Sequence, residues 1–281
     1  MSFNLVLNST NVSSVNNDIF TYRFINGGFK VLQDAEICVS EFVIPYSWFN
    51  ITQIYNNNSF IFNDWFGISH EILLPNGFYQ VSDLNSFFIN YCLNNGFYLV
   101  SSNGLNVVFN AFLTNATFYS NQILSYTVPT LAQFNDPSGN YAGWTLGDDW
   151  IGFPPVATAP SIEILNNNFQ SYLGFTAGVY GGGLNDSSFL SNITPNATNV
   201  NSLIARCSLI SNNVSMPSDV LDSFPITSTF GSNIVYSPRF PKWVKINAGT
   251  YNSLILTVVD QNFNTVYAQD PNVCITLLIK F

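Results

Sequence analysis

Charged residues are scarce in this sequence. Only 8% of its 281 residues are Asp, Glu, Lys or Arg, whereas an ordinary soluble domain has about 25%. Asn, Ser and Thr supply the polar surface instead, and there are 39 Asn residues but only four Lys residues. Codon bias in an AT-rich genome would raise Asn, Phe and Lys together, so it does not explain the shortage of Lys. Because the cores of protein interfaces are depleted in charge and enriched in aromatics, the composition predicts a subunit of an assembly.

Positive charge is especially rare, and its rarity excludes several partners. The formal net charge is −9, and no basic patch is present to displace counterions from phosphates. No apolar run approaches the ~20 residues of a membrane-spanning helix. The N-terminal residues also lack the basic start and apolar run of a signal peptide. We therefore expect no nucleic-acid binding, no membrane insertion and no secretory leader.

The side chains that usually carry catalysis or bind metals are few and scattered. His70 is the single histidine, and on a strand Ser69 and Glu71 would face away from it, so Ser69 is not its nucleophile. We expect His70 to be a surface or cross-strand residue. The cysteines form no CxxC pair and no spacing suited to zinc, and we expect four buried free thiols in a reducing compartment: Cys38, Cys92, Cys207 and Cys274. The sequence thus predicts no catalytic residue, no cofactor and no metal site.

One acidic segment stands out as a candidate contact. Asp148 and Asp149 are adjacent and precede Trp150. Neighbouring carboxylates supply oxygens of the kind that Ca²⁺ prefers, and with the indole they also suit a sugar; a solvated loop tip is the simpler alternative. The three residues 181–183 are all glycine but lack the Lys-Ser/Thr of a phosphate loop. We predict that Asp148, Asp149 and Trp150 are exposed.

Strand signals dominate the chain. Short runs of β-branched and aromatic residues alternate with turn residues, which is typical of an all-β fold. Asn26 and Gly27 are suited to the tight turn of a hairpin, which would join strands at 20–25 and 29–32. Further strands are predicted at 36–44, 58–63, 68–74, 234–236, 243–246, 253–259 and 273–279, with a weaker signal at 161–165.

One segment has the spacing of a helix. From Ser82, a suitable N-cap, to Asn94, apolar residues recur at intervals of three and four and form one stripe: Leu84, Phe87, Phe88, Tyr91 and Cys92. Gly96 follows as a left-handed C-cap. We expect a helix over 82–94 that packs its stripe into the core, in preference to forming a ligand groove.

The middle of the chain differs from both ends. Residues 131–199 are rich in Gly, Pro, Asn and Ser, and an unstructured loop of that length is improbable inside a compact domain. We predict an inserted, outward-facing subdomain over 131–199. Residues 1–130 and 200–281 would then form one domain interrupted by this insertion.

Both ends of the sequence resemble a capsid family. The N-terminal part contains IPYSWFNIT (44–52) and ILLPNGFYQVSDLN (72–85), and the C-terminal part contains LILTVVDQNF (254–263) and QDPNVCITLLIK (269–280). These motifs are similar to those of the penton, or minor capsid, proteins of virophages, Polinton-like viruses and related large DNA viruses of protists. The central segment has no such resemblance, and the matching residues are structural ones.

The resemblance implies a fold and a role. The fold would be all-β: an eight-stranded jelly-roll β-sandwich with one short helix and an inserted β/loop subdomain. The role would be that of a penton capsomer, a homopentameric ring at the icosahedral vertices of the virion, made in the host-cell cytoplasm and contacting the viral major capsid protein. Asp148, Asp149 and Trp150, in the predicted insertion, would contact a host receptor or a fibre. Residues expected in the jelly-roll framework are Tyr22, Phe24, Ile37, Phe42, Trp48, Phe60, Phe62, Trp243, Leu254, Leu256, Leu277 and Ile279.

Two other classes of function share some of these features. A jelly-roll attachment fibre or lectin-like receptor-binding protein would have the same strands and aromatic loops, but it should also carry a repetitive shaft or an anchoring segment. A carbohydrate hydrolase on a β-sandwich would need two converging carboxylates in a cleft.

Overall fold

The computed structural model describes residues 2–25, 28–31, 35–115, 120–212 and 215–281. The chain divides into two units. We call residues 1–49 and 199–281 the terminal unit, since it contains both ends of the chain, and residues 50–198 the central unit.

Strands make up most of the regular structure. Three α-helices occur in the described residues: α1 (Val81–Asn94), α2 (Leu131–Phe134) and α3 (Phe169–Leu173), and a 3₁₀ turn covers Ser9–Asn11. In chain order the strands are β1 (Ser2–Asn8), β2 (Ile19–Arg23), β3 (Phe29–Val31), β4 (Glu36–Pro45), β5 (Ser59–Asn63), β6 (Ser69–Leu73), β7 (Tyr98–Val100), β8 (Asn106–Val108), β9 (Asn110–Asn115), β10 (Ser120–Ser125), β11 (Thr145–Leu146), β12 (Ser161–Ile164), β13 (Gly178–Gly181), β14 (Ser187–Leu190), β15 (Ser202–Cys207), β16 (Val220–Pro225), β17 (Asn233–Tyr236), β18 (Val244–Lys245), β19 (Gly249–Tyr251), β20 (Ser253–Asp260) and β21 (Cys274–Lys280).

The terminal unit is built on two antiparallel sheets. The first has the strand order β1-β21-β4-β17, with β18 also paired to β4, and the second has the order β16-β15-β20-β2. Side chains alternate between buried and exposed along β1 and β21, as expected for strands with one face on a core. The two ends of the chain pair directly, since Ser2 lies opposite Lys280.

A buried carboxylate ties the two sheets of the terminal unit together. Asp222 on β16, in the second sheet, has a side chain only 1% exposed and lies 2.6 Å from Lys242 Nζ. Its other oxygen accepts a hydrogen bond of 2.9 Å from the hydroxyl of Tyr236 on β17, in the first sheet. The Tyr236 ring also stacks on Phe224 at 4.6 Å. A buried charge requires such partners, and Asp222 thereby joins the sheets at a defined position.

The predicted N-terminal hairpin is wrong. β2 pairs with β20, and β3 pairs with β19. The turn residues Asn26 and Gly27 lie outside the described residues. A local turn motif favours a hairpin, but the partner of a strand is decided by long-range packing, which the motif does not contain.

The central unit packs an aromatic core between small sheets and helix α1. Its sheets have the orders β13-β12-β5-β6, β14-β10-β9 and β11-β7-β8. Phe60 on β5 lies at the centre, with ring centroids of Phe88, Phe112 and Phe169 within 6.0 Å. This burial of large rings stabilises a unit whose strands are short.

Helix α1 begins one residue before the predicted start and ends as predicted. Its N-cap is Gln80 rather than Ser82, and the Gln80 backbone N–H donates to Asp83 Oδ2 at 2.8 Å. The predicted stripe is partly correct, since Leu84, Phe88 and Cys92 are buried whereas Phe87 and Tyr91 are half-buried. Beyond the helix, Gly96 has φ +71°, as the predicted C-cap requires.

The central unit is longer than the expected insertion. It spans 50–198, so residues 50–130 belong to it together with residues 131–198, and the insertion over 131–199 stays a prediction. Phe60 and Phe62, expected in the jelly-roll framework, lie in the core of the central unit. The side chains of β5 alternate between buried and partly exposed, as in any strand with one face on a core, so the pattern does not show to which unit the strand belongs. Its pairing with β12 places it in the central unit.

Candidate functional site

The Asp148-Asp149-Trp150 segment does not form one surface. Asp148 and Asp149 are exposed, as predicted, but Trp150 is half-buried. Its ring stacks on Trp65 at 4.9 Å and lies 5.3 Å from Phe153. The prediction that Trp150 is exposed beside the carboxylates is therefore wrong. Burying an indole against other aromatic rings is more favourable than leaving it in water.

Backbone geometry turns the two carboxylates outward. Asp149 has φ +56°, a left-handed conformation that Asp tolerates better than most residues. The Asp148 backbone N–H donates to the Tyr98 hydroxyl at 3.0 Å. A Cβ on Gly96 would lie 2.1 Å from the Asp149 carbonyl oxygen, so this loop closes against a position that only glycine fits.

His70 pairs with the carboxylate of Asp64, which was not among the site residues predicted from the sequence. Its Nε2 lies 3.0 Å from Oδ2 of Asp64, whose side chain is 2% exposed. The other Asp64 oxygen accepts hydrogen bonds from the backbone N–H groups of Phe66 and Ile68. The carboxylate thus closes the β5–β6 turn, and His70 lies opposite Phe62 across the hairpin, as a cross-strand residue would. The signal available in the sequence was an Asp and a His flanking a short turn.

Charge is divided unevenly between the two units. All seven Lys and Arg residues lie in the terminal unit, whereas the central unit has none. Of the 16 acidic residues, eight lie in the central unit, so it carries −8 of the formal net charge of −9. Six of these eight are exposed: Glu71, Asp83, Asp136, Asp148, Asp149 and Asp186. The central unit therefore offers no cation to an anionic ligand.

One part of the outward side of the first sheet in the terminal unit is poor in charge, whereas Lys280 and Glu36, which also lie on that side, form an ion pair at 2.7 Å. Cys274 lies opposite Val43, and Val43 lies opposite Val235; directly opposed residues share a face. The next outward row contains Val6, Thr276 and Glu41. We call these six residues the outer face. Val235 is 57% exposed and Val6 48%, whereas a sheet face turned to water normally carries polar residues.

The cysteines are free, but they are not all buried. Cys38, Cys92 and Cys207 are buried, whereas Cys274 is exposed, which corrects the expectation of four buried thiols. Cys274 starts β21 on the outward side of the pleat, so its apolar sequence neighbours, Val273 and Ile275, point inward. Burial raises the pKa of the Cys207 thiol to about 12, with a smaller contribution from Asp219. That thiol is therefore unreactive near neutral pH.

Among residues 2–25, 28–31, 35–115, 120–212 and 215–281, no three His, Cys, Asp or Glu residues come together in a way that would hold a metal ion. No helix among these residues has the length and apolar character needed to cross a bilayer.

Comparisons with known proteins give structural neighbours only. No family model and no curated protein sequence matches the chain. Two solved structures resemble it along nearly its whole length. One is the mavirus penton protein, with a TM-score of 0.46, 11% identity and coverage of 99% of this chain and 97% of that one. The other is a chain in the cryo-EM structure of the Sputnik virophage, with a TM-score of 0.42, 12% identity and coverage of 99% and 96%.

Proposed function

We propose that the terminal unit is a jelly roll and that the chain is a penton subunit of a viral capsid. The eight main strands of the unit, taken in chain order, are β1, β2, β4, β15, β16, β17, β20 and β21. Successive strands alternate between the two sheets at every step except from β15 to β16. That order supports a jelly roll, an architecture of viral capsid and lectin domains. The central unit is inserted between the third and fourth of these strands.

The capsid role rests on the resemblance of both chain ends to penton sequences, because a fold alone does not specify a function. In this role five copies close a ring at each icosahedral vertex and contact the major capsid protein around it. Such a ring is heterologous, so one flank of each copy meets a different flank of the next. The neighbours in a permanent assembly bury large and apolar surfaces.

The outer face is the structural observation that supports assembly. It exposes Val6 and Val235 with Glu41 as the single charge among its six residues, and the charged pair Lys280 and Glu36 on the same side of the sheet is joined at 2.7 Å. Burial of this side against a neighbouring subunit would therefore leave few charges without partners. A monomer kept soluble by its own surface would place interspersed charges on such a sheet. We assign this face to contacts within the capsid.

The central unit then faces away from the capsid interior. Its charge of −8 without a single Lys or Arg would be repelled by packaged nucleic acid, whose recognition requires cations. Asp148 and Asp149 are exposed on this unit, and we assign them a contact with a host receptor or a fibre. Unchanged attachment by an Asp148→Asn/Asp149→Asn double variant would remove that assignment.

A matched pair of substitutions tests the assembly surface. Val235→Lys puts a charge on the outer face, and Val179→Lys puts one at an equally exposed valine of the central unit, since both are 57% exposed. Sedimentation equilibrium should show self-association weakened at least about tenfold by Val235→Lys, because the interface would bury an unpaired charge. Val179→Lys should leave it unchanged. If both variants self-associate as strongly as the unmodified chain does, the assignment of this face is refuted. A trimer would favour the attachment-fibre alternative.

A further inference from the structure

A polar pocket lies in the central unit, and neither the Asp148–Trp150 segment nor the outer face lines it. Its volume is about 470 Å³, within the range of small-molecule sites. Residues on four segments line it, including Thr127 before α2, Asn140 and Tyr141 after α2, Ala157, and Asn185 and Asp186 before β14.

The hydrogen-bonding groups of this pocket are only partly used by the protein. One oxygen of Asp186 accepts from the Thr127 backbone N–H at 2.6 Å. Within the described residues, the side-chain amides of Asn140 and Asn185 make no hydrogen bond, and both are exposed. The Oγ1 of Thr127 also has no partner there, but it is buried and so is not accessible to a ligand in the pocket.

An aromatic ring forms part of the wall. Tyr141 is half-buried and donates its hydroxyl hydrogen bond to the Thr127 carbonyl at 3.0 Å. Burial, and then the charge of Asp186, raise the pKa of Tyr141, which is consistent with the ring and the carboxylate sharing one pocket. The hydroxyl of Tyr141 is therefore fixed by the protein, and its ring offers an apolar surface beside the free amides.

The charge of the unit restricts the ligand. The absence of Lys and Arg from residues 50–198 leaves a phosphate, sulfate or carboxylate with no counter-charge, while Asp186 would repel it. Amides, one carboxylate, a hydroxyl and an aromatic ring instead match a ligand rich in neutral hydroxyls. We propose that this pocket binds a neutral saccharide. The assignment does not depend on the capsid role, because binding of a sugar to the chain and association of its copies are measured separately.

Saturation-transfer NMR on the full chain tests the site. The probes are galactose, mannose and N-acetylglucosamine as neutral sugars, N-acetylneuraminic acid as an anionic one and glucosamine as a cationic one. At least one neutral sugar should bind, and the anionic sugar should not. Failure of all three neutral sugars, or preferential binding of either charged sugar, would overturn the proposal.

Two isosteric variants locate the binding. Asp186→Asn retains an oxygen for the Thr127 N–H but loses the charged acceptor, and it should weaken the sugar about tenfold. Glu71→Gln makes the same carboxylate-to-amide change at an exposed position of the central unit outside the pocket, and the affinity should stay within about twofold. An unchanged affinity in Asp186→Asn, or a loss in Glu71→Gln instead, would contradict the assignment.

Discussion

The hydrogen bond between Tyr236 and Asp222 predicts a specific loss of stability. Tyr236→Phe removes one bond to a buried carboxylate, from a donor 2.9 Å away, and leaves the stacked ring in place. Hydrogen bonds to charged groups contribute about 1.5–3 kcal/mol, so the free energy of unfolding should fall by that amount. Tyr251→Phe is the matched control, since its hydroxyl donates to the neutral Asn247 carbonyl at 2.7 Å, and it should cost about 0.5–1.5 kcal/mol.

The same bond predicts a dependence on pH. Burial, followed by the hydrogen bond and charge of Asp222, raises the pKa of Tyr236 from 10.0 to about 12. The neutral phenol donates to Asp222, so its stabilising effect is full below pH 10. This stabilisation is lost as the pH rises from the pKa of Tyr236 in the unfolded chain through its pKa in the folded chain. The difference in stability between the unmodified chain and Tyr236→Phe should therefore be constant up to pH 10 and shrink towards pH 12.

Urea unfolding of both variants, followed by circular dichroism at several pH values, checks this prediction. Groups shared by the unmodified chain and the variant cancel in the comparison. Equal costs for Tyr236→Phe and Tyr251→Phe at pH 7 would refute the reasoning, and so would a Tyr236→Phe cost that persists unchanged at pH 12. Either result would mean that Asp222 does not hold the two sheets of the terminal unit together.

Two other substitutions test the central unit by unfolding measurements. Phe88→Ala should lower the free energy of unfolding by about 3–5 kcal/mol, because its buried ring contacts other aromatic rings. Phe87→Ala should lower it less, since Phe87 is half-buried. Equal losses in the two variants would contradict this packing. Gly96→Ala should cost at least about 1 kcal/mol more than Gly104→Ala. Both glycines have positive φ, but of the two only Gly96 lies so close to the Asp149 backbone that a Cβ would clash with it. Similar losses of stability in the two variants would show that the loop at Asp149 can move to relieve the clash.

Local structure was predictable where a short pattern decides it. β4 spans Glu36–Pro45 and ends at the proline where the alternation stopped, and α1 ends before Gly96 as its C-cap signal indicated. Such features depend on residues close in sequence. The pairing of β2 and β3 with strands more than two hundred residues away depends on burial in the folded chain, and the Asn-Gly turn motif contained no information about it.

The candidate sites show the same limit. Exposure of Asp148 and Asp149 followed from their charge, but the burial of Trp150 depended on Trp65, a residue from a distant segment. Asp64 and His70 meet because a hairpin folds between them. The pocket at Asp186 was invisible in the sequence, since its lining comes from four segments that are joined only by tertiary packing.

The most direct test of the capsid account is the mass of the unmodified chain in solution, measured by native mass spectrometry over a range of protein and salt concentrations. The account predicts a closed species of five times 31.2 kDa that persists in salt, because its interface buries an outer face poor in charge. A chain that remains a monomer at every concentration, or that forms a stable trimer, would contradict it.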